Sequence, residues 1–363
     1  MLASVAAVVP ASPAAHAAAA RTASVHPATT PGFAVQQVDV PAQAIPIVAD
    51  FNGDGRADIL WYGPGSTFDQ LMLSTPGRTF KRVAISINGF YEPLEGDFNG
   101  DHKADILWYG PGSLPDSLWL GNGNGTFTSH TVHINGGYHP IVGDFDGNHQ
   151  DDVLWYAPGT AHDYVSYGTS TGSFSTHPVT INGSYDFITG GDFNGDGRTD
   201  LLFWSSQSTT APVWLGRSTP GFASTSFPVP AKGAYPMVMN VDGDAKSDIL
   251  WYGSGNISDA LVKGSLGYSH FIAESIRGDY QPLWGNFDGD GHHYTDVVWW
   301  NRAPGGEDAY WLGNGSGFTS VPFTAAHVDW SSHNAAFGDF DGDGALDILF
   351  YDGTGRDTSI YYG

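Results

Sequence analysis

The segment DFNGDGRAD at residues 50–58 indicates a repeat architecture, because degraded copies of it recur along the chain. It returns as DFNGDHKAD (97–105), DFDGNHQDD (144–152), DFNGDGRTD (192–200), NVDGDAKSD (240–248), NFDGDGHHYTD (286–296) and DFDGDGALD (339–347). Their starts are separated by 47, 47, 48, 48, 46 and 53 residues. We call these segments repeat loops one to seven. A repeat of this period predicts an array of small units, one for each loop.

Each unit is predicted to contain four short strands. In the second unit they are ADILWYG (104–110), DSLWLG (116–121), FTSHTVHI (127–134) and HPIVGDF (139–145), with turn residues between them. No helical periodicity appears in the sequence. Seven such units predict an all-β fold, a seven-bladed β-propeller of four-stranded antiparallel blades. A two-sheet sandwich would not explain one near-constant period. The Trp-Tyr pairs of the second strands, such as Trp61-Tyr62 and Trp108-Tyr109, are predicted to form the core between blades.

The two ends of the chain are predicted to share the last blade. The segment DTSIYYG (357–363) corresponds to a third strand and ends the sequence. The missing fourth strand is predicted near the beginning, where GFAVQQVDV (32–40) matches GTFTSHTVHI (125–134). An N-terminal strand that completes blade seven would close the ring and remove the exposed edges.

Each repeat loop places oxygen-bearing side chains at alternate positions around a glycine-rich turn. Positions one, three, five and nine supply side chains, and position seven supplies its carbonyl. This order resembles the first half of an EF-hand loop, and donors that are all oxygen favour Ca²⁺ over zinc or copper. The predicted ligands are Asp50, Asn52, Asp54, Arg56, Asp58; Asp97, Asn99, Asp101, Lys103, Asp105; Asp144, Asp146, Asn148, Gln150, Asp152; Asp192, Asn194, Asp196, Arg198, Asp200; Asn240, Asp242, Asp244, Lys246, Asp248; Asn286, Asp288, Asp290, His292, Asp296; and Asp339, Asp341, Asp343, Ala345, Asp347.

The loop pattern is most complete in repeat loops one, four and seven. Loop two has His102 at the glycine position, and loop three has Asn148 at position five. Loop five has Ala245 for the glycine, and loop six carries two extra residues before Asp296. Up to seven structural Ca²⁺ sites are therefore predicted. The alternative is a set of Asx turns that hold only water.

The pattern D-x-[ND]-G-D-G-x-x-D followed by an apolar strand resembles the FG-GAP or VCBS repeat. That repeat builds the seven-bladed head of integrin α-subunits and occurs in many secreted bacterial proteins. The resemblance covers residues 33–363. It implies that each repeat loop joins the first and second strands of a blade and binds Ca²⁺ structurally, through Asp50, Asn52, Asp54, Asp58 and their counterparts. Some relatives are lectins and others are modules of hydrolases or lyases, so the resemblance leaves the function open.

Composition excludes several classes of partner. The 363 residues include 14 Lys and Arg against 38 Asp and Glu, a formal net charge of −24. Nucleic acids and anionic membrane surfaces are bound through basic patches, so neither is expected as a partner. After the N-terminus no stretch approaches the roughly 18 apolar residues of a membrane span. Cysteine is absent, which excludes a disulfide framework.

The N-terminus is predicted to direct the protein out of the cell. Residues 1–20 are apolar and alanine-rich, and Ala15-His16-Ala17 matches an A-x-A cleavage pattern, although no positively charged n-region precedes it. A disordered Ala/Pro tail is the alternative interpretation. Residues 21–32 are predicted to be a polar linker and 33–363 the propeller.

The connections opposite the repeat loops are predicted to carry a ligand-binding face. An aromatic residue recurs in the connections that lead from a fourth strand to the next first strand, and an aspartate recurs at the start of the third strand. A tyrosine can stack on a sugar ring while a carboxylate accepts its hydroxyls. The alternative is that each tyrosine fills the space between blades and each aspartate caps its turn. The candidates are Tyr91, Tyr138, Tyr185, Tyr235, Tyr280, Trp330, Asp69, Asp116, Asp163, Asp259 and Asp308.

These observations predict a secreted, monomeric, Ca²⁺-binding propeller that binds an extracellular glycan or another cell-surface ligand without catalysis. One alternative is a polysaccharide lyase or hydrolase, which would need an asymmetric set of catalytic residues in one cleft. The other is a protein–protein adhesion scaffold. No catalytic residue is assigned, because the candidate side chains repeat with the blades.

Overall fold

The computed structural model describes residues 33–40, 43–65, 68–159, 162–255, 257–276, 278–292, 294–301, 308–321, 333–353 and 358–363. The leader-like segment 1–20, the linker 21–32 and the candidate Trp330 lie outside the described residues. Within these ranges the helical element is a single 3-10 turn at Gly264–Leu266, and no helix has the length and apolarity needed to cross a membrane.

The strands form seven antiparallel sheets of four. Blade one contains β2 (Ile45–Ala49), β3 (Asp58–Tyr62), β4 (Asp69–Thr75) and β5 (Thr79–Ile85). Blade two contains β6 (Glu92–Gly96), β7 (Asp105–Tyr109), β8 (Asp116–Gly121) and β9 (Phe127–Val132). Blade three contains β10 (His139–Gly143), β11 (Asp152–Tyr156), β12 (Asp163–Thr169) and β13 (Ser173–Val179). Blade four contains β14 (Phe187–Gly191), β15 (Asp200–Trp204), β16 (Thr210–Leu215) and β17 (Ala223–Pro228).

The remaining blades repeat the same order. Blade five contains β18 (Tyr235–Met239), β19 (Asp248–Tyr252), β20 (Asp259–Val262) and β21 (Ile272–Glu274). Blade six contains β22 (Tyr280–Gly285), β23 (Asp296–Asn301), β24 (Ala309–Gly313) and β25 (Phe318–Val321). Blade seven contains β26 (Asn334–Gly338), β27 (Asp347–Tyr351), β28 (Ser359–Tyr362) and β1 (Ala34–Gln37). The predicted all-β, seven-bladed propeller is confirmed.

The closure of the ring by the N-terminal strand is also confirmed. Strand β1 pairs antiparallel with β28, in a register that sets Ala34 opposite Tyr362 and Gln37 opposite Ser359. The first strands of adjacent blades are neighbours around the ring, and β2 of blade one contacts β26 of blade seven. The outer edge of blade seven is therefore covered by the beginning of the chain.

The second strand of each blade forms the core, because both of its faces are buried. Leu60 and Tyr62 pack toward Trp108 of blade two, whereas Ile59 and Trp61 pack toward Leu349 of blade seven. Continuous apolar runs such as DILWY are typical of strands buried on both sides. The predicted inter-blade packing of the Trp-Tyr pairs is confirmed.

The connections lie on two opposite faces. The repeat loop joins the first and second strands and lies beside the turn between the third and fourth strands, since Gly125 N donates to Phe51 O of the preceding blade (3.0 Å). On the other face the connection after the second strand meets the one after the fourth. Gly65 there forms an isolated bridge with Gly89. The predicted separation of the repeat loops from the tyrosine-bearing connections is confirmed.

Candidate functional site

The first residue of a repeat loop organises the loop backbone. In loop one, Asp50 Oδ1 accepts a hydrogen bond from Gly53 N and Asp50 Oδ2 accepts one from Gly55 N, both at 2.7 Å. The same two contacts recur at the first aspartates of loops two, three, four and seven, which are Asp97, Asp144, Asp192 and Asp339. Five loops therefore share one backbone shape.

The glycine position tolerates histidine without loss of this shape. Gly55 adopts a φ of 84°, and His102 and His149 hold the same left-handed conformation at 63° and 67°. Ala245 of loop five does not have a positive φ. Its loop is closed differently, by a hydrogen bond from Asn240 Nδ2 to Asp244 O at 3.1 Å. The histidine substitutions thus keep the turn, whereas the alanine changes it.

The ninth residue ties each blade together from within. Asp200 Oδ2 accepts a hydrogen bond from Phe193 N at 2.9 Å, and its Oδ1 accepts one from Gly216 N, at the end of the third strand, at 2.8 Å. Equivalent pairs of contacts are made by Asp58, Asp105, Asp152, Asp248, Asp296 and Asp347. All seven carboxylates are buried.

These buried carboxylates are hard to ionise without a compensating positive charge. Removal from water raises the pKa of Asp200 to about 7, that of Asp347 to about 8 and that of Asp152 to about 9. The neighbouring loop carboxylates add to the rise. A bound divalent cation favours the ionised form of a carboxylate, so it would offset this cost.

Repeat loops three and seven each bring three carboxylates together. One oxygen from each of Asp144, Asp146 and Asp152 lies within 4.8 Å of the other two. Asp339, Asp341 and Asp347 form the same cluster in loop seven. Loop seven was predicted to be among the most complete loops, but loop three was not. Loop three reaches the same convergence because its third position is an aspartate, where loops one, two and four have asparagine.

Two asparagine oxygens in the loops are buried without a hydrogen-bond donor among the described residues. They are Oδ1 of Asn194, at position three of loop four, and Oδ1 of Asn286, at position one of loop six. A buried acceptor without a partner is costly, so such an atom indicates a missing partner. A hard cation bound in each of these two loops would satisfy its asparagine oxygen. The donor set, the converging carboxylates and these two oxygens fit Ca²⁺, and the ligand assignments remain predictions.

The fifth residue has a role beyond the predicted one. In all seven loops its Oδ1 accepts a hydrogen bond from the amide of position seven. In loops one and four, Asp54 and Asp196 also form ion pairs with Arg56 and Arg198. Asp101 of loop two does so with Lys103 at 2.8 Å. In these three loops the position-seven side chain therefore partly neutralises the position-five carboxylate.

The eighth residue, which the sequence analysis did not single out, links each loop to its neighbour. Its amide donates to the carbonyl of position one in the preceding blade at six junctions, over 2.6–2.8 Å. At three of these junctions its side-chain oxygen also accepts a hydrogen bond from the backbone amide of position one. The donors at the six junctions are Ala57, Asp151, Thr199, Ser247, Thr295 and Leu346, and the accepting side chains are those of Asp151, Ser247 and Thr295.

On the opposite face the carboxylates of the predicted aspartates accept hydrogen bonds from backbone amides. Asp163 Oδ1 accepts from Ala157 N and Asp163 Oδ2 from Ile181 N, both at 2.9 Å. Asp69, Asp116 and Asp259 make the same two contacts and are buried. Asp308 accepts from Asn301 N at 2.9 Å. This geometry favours the turn-capping alternative.

The predicted tyrosines are half-buried between blades. The Tyr185 ring packs 5.1 Å from Phe203 of the next blade, and its hydroxyl donates to Asn182 O at 3.1 Å. Tyr91, Tyr138 and Tyr280 pack 5.9–6.0 Å from Trp108, Trp155 and Trp299, and Tyr235 packs 5.7 Å from Trp204. Each tyrosine therefore forms part of the wall between two blades.

Two cavities open along these walls. The groove between blades three and four encloses about 270 Å³ and is lined by Asn182, Tyr185, Trp214, Ser224 and Thr225, among others. The groove between blades two and three encloses about 310 Å³. Its lining includes His130, His133, Trp155, Ser166 and Phe174. Of these lining residues the sequence analysis had identified Tyr185 as a ligand candidate.

The chain has structural relatives but no matching curated protein sequence. An Agrocybe aegerita lectin, described as recognising non-reducing terminal N-acetylglucosamine, aligns with a TM-score of 0.61 and 15% identity over 86% of each chain. A Penicillium chrysogenum α-L-arabinanase aligns with a TM-score of 0.44 and 11% identity over 91% of this chain and 98% of its own. At these identities the structural relatives show the fold alone.

A family model of the FG-GAP-like repeat matches residues 97–155, 192–251 and 286–350, which together make up more than half of the chain. Each matched segment begins at position one of a repeat loop and reaches into the second strand of the following blade. The matches therefore rest on the same loops and strands that build the ring. The chain belongs to the FG-GAP-like repeat family.

Proposed function

We propose that this protein is a secreted, Ca²⁺-stabilised propeller that binds extracellular glycans in the grooves between its blades, without catalysis. The observation that carries the proposal is the groove between blades three and four. Its cavity of about 270 Å³ combines aromatic rings with exposed hydroxyl and amide side chains. That volume is close to the lower end of the range for small-molecule sites, roughly 300–1,000 Å³.

The lining of this groove suits a sugar. Tyr185 and Trp214 offer apolar ring surface for the C–H face of a pyranose. Asn182, Ser224 and Thr225 offer donors and acceptors for its hydroxyls. No lining side chain of this cavity is charged, which favours a neutral sugar over a uronic acid or an amino sugar with a free amine.

The second groove has a different lining. It has Ser166 at the strand position of Trp214 and adds two exposed histidines, His130 and His133. Weak sites spread around one ring combine into useful avidity when the ligand is a polymer or a cell surface. Because one structural relative is described as recognising N-acetylglucosamine, this sugar belongs in the test panel.

The repeat loops would hold the cation on the other face. Asp144, Asp146 and Asp152 in loop three, and Asp339, Asp341 and Asp347 in loop seven, are three-carboxylate sets that would hold it. Asp192, Asn194 and Asp200 would form the corresponding set in loop four. When bound, Ca²⁺ supplies the positive charge that the clustered carboxylates lack. We propose that these sites stabilise the ring and do not contact the glycan.

A glycan array run with an activity screen on plant and bacterial polysaccharides tests the proposal. We expect binding to neutral glycans and no release of reducing or unsaturated ends. The double variant Asn182→Ala/Thr225→Val should bind at least about tenfold more weakly with an unchanged melting temperature, because both side chains are exposed. Asn122→Ala, on the repeat-loop face, is the matched control. Polysaccharide cleavage would support the enzyme alternative, and an empty array with capture of a protein partner would support the adhesion alternative.

A further inference from the structure

We infer that the propeller carries three equivalent glycan sites, on blades two, four and six, each built on a tryptophan of the third strand. The inference rests on the proposed function and names the residues and the number of its sites. The three tryptophans are Trp119, Trp214 and Trp311. None of them was among the candidates from the sequence.

The three tryptophans occupy one position of the blade. Each pairs with the residue after the first aspartate of its second strand: Trp119 with Ile106, Trp214 with Leu201, and Trp311 with Val297. On the outer side each has a serine opposite: Ser129, Ser224 and Ser320. All three indoles are half-buried.

The odd blades bury this same position. Its occupants there are Met72, Ser166, Val262 and Tyr361, with exposed fractions of 1%, 6%, 0% and 3%. In blade three, Ser166 Oγ accepts a hydrogen bond from Trp155 Nε1 at 3.0 Å, so it completes the wall. Blades two, four and six therefore leave a tryptophan, the largest apolar side chain, partly exposed to solvent. The other four blades bury the residue at this position. A partly exposed aromatic that recurs in this way is typical of a binding surface.

Two packed aromatic rings fix each indole in the same orientation. Trp119, Trp214 and Trp311 lie 5.4, 5.0 and 5.2 Å from Trp108, Phe203 and Trp299 of the second strand, at steep angles of 71°, 62° and 73°. They lie 5.5, 5.1 and 5.5 Å from Phe127, Phe222 and Phe318, at shallow angles of 39°, 30° and 37°. Phe127 and Phe318 begin the fourth strand of their blades, and Phe222 directly precedes it. A ring held on two sides loses little entropy when a ligand stacks on it.

Blade four indicates what stacks there. The exposed part of Trp214 lines the uncharged cavity between blades three and four, together with Tyr185, Asn182 and Thr225. This lining fits a neutral hexopyranose whose C–H face lies on the indole and whose hydroxyls reach the polar side chains. Blades two and six have a tyrosine near the tryptophan as well. Tyr91 packs on Trp108, which also contacts Trp119, and Tyr280 packs on Trp299, which also contacts Trp311. One odd blade separates blade two from blade four and blade four from blade six, and blades seven and one together separate blade six from blade two.

Calorimetric titration with the methyl glycosides of glucose, galactose, mannose and N-acetylglucosamine tests this inference. We expect a stoichiometry of three for the glycoside that binds. Trp119→Leu, Trp214→Leu and Trp311→Leu should each remove one site, and the triple variant should lose binding by more than about tenfold. Replacement by tyrosine should retain binding, because a flat ring remains. Trp284→Leu, a half-buried tryptophan on the first strand of blade six, is the matched control.

Hydroxyl-radical footprinting of the unmodified protein gives a measurement that does not depend on the folding of any variant. The bound glycoside should protect Trp119, Trp214 and Trp311 from oxidation and leave Trp284 unchanged. The inference would be overturned if the glycoside bound with another stoichiometry, if it protected none of these three residues, or if the triple variant kept full affinity. Each of these results would leave the proposed function standing. Failure to bind any glycan on the array or in the panel would overturn both.

Discussion

At the scale of single residues, the ninth position of the repeat loop holds a blade together through one buried carboxylate. It was predicted as a cation ligand, and in the structure both of its oxygens also accept backbone amides of its own blade. In Asp200 the two amides belong to Phe193 and Gly216, which lie on opposite sides of the second strand in sequence. The residue therefore joins three parts of a blade whether or not a cation is bound.

We predict that Asp200→Ala destabilises the protein by about 2 to 6 kcal/mol, since two buried amides lose their acceptor at about 1 to 3 kcal/mol each. Asp196→Ala, in the same loop, is the control. Its carboxylate is exposed and paired with Arg198, so its loss should cost less than about 1 kcal/mol. Urea unfolding in EGTA measures both variants without a contribution from the cation. Equal effects of the two substitutions would show that the buried contacts do not matter.

At the scale of elements, blade seven depends on a strand from the other end of the chain. Strand β1 covers the edge of β28, and Tyr362 Oη donates to Gln36 Oε1 at 2.7 Å. The seam with blade one is reinforced by Arg78, whose Nε donates to Asp341 Oδ2 at 2.9 Å and whose guanidinium lies 4.1 Å from the Tyr362 ring centroid. These contacts join residues far apart in sequence.

Deletion of residues 1–40 should expose the β28 edge and produce aggregates or a species with a broad melt. An uncovered strand presents unpaired amides and carbonyls to other chains. A version that lacks only residues 1–32 keeps β1 and is the matched control. Size-exclusion chromatography with light scattering and thermal melting compare the two. If the longer deletion leaves a monomer that melts like the control, the pairing of β1 with β28 does not stabilise the ring.

At the scale of the whole molecule, the repeat loops form a linked chain of contacts. The eighth residue of one loop donates to the first residue of the loop before it, at junctions that include blade seven to blade one. A cation that orders one loop therefore also orders an acceptor for the next. This arrangement predicts that a cation bound in one loop would stabilise the ring as a unit.

We expect thermal melts in Ca²⁺ and in EGTA to differ strongly, with one cooperative transition in Ca²⁺. Binding to the folded state alone stabilises it by about 2.7 kcal/mol for each site when the free ion exceeds its dissociation constant a hundredfold. Mg²⁺ at the same concentration is the control, because it demands a tighter octahedral geometry. Superimposable melts in Ca²⁺ and EGTA would rule out structural cation sites.

The sequence was sufficient to predict the seven blades, the four strands in each, the closure by β1 and the two faces. These features depend on local turn chemistry and on strand alternation, both of which repeat within about 47 residues. The repeat-loop positions were also visible, because glycine and aspartate at fixed spacing act within one loop.

Which of those side chains converge, and which surfaces stay open, was decided by tertiary structure. Asp69, Asp116, Asp163 and Asp259 were predicted as sugar-binding candidates, and the fold places two backbone amides against each of these carboxylates. Trp119, Trp214 and Trp311 looked like ordinary strand residues, because their exposure depends on how far the outer strand of the neighbouring blade covers them. Contacts of this kind join different repeats, and no pattern within one repeat specifies the packing between two.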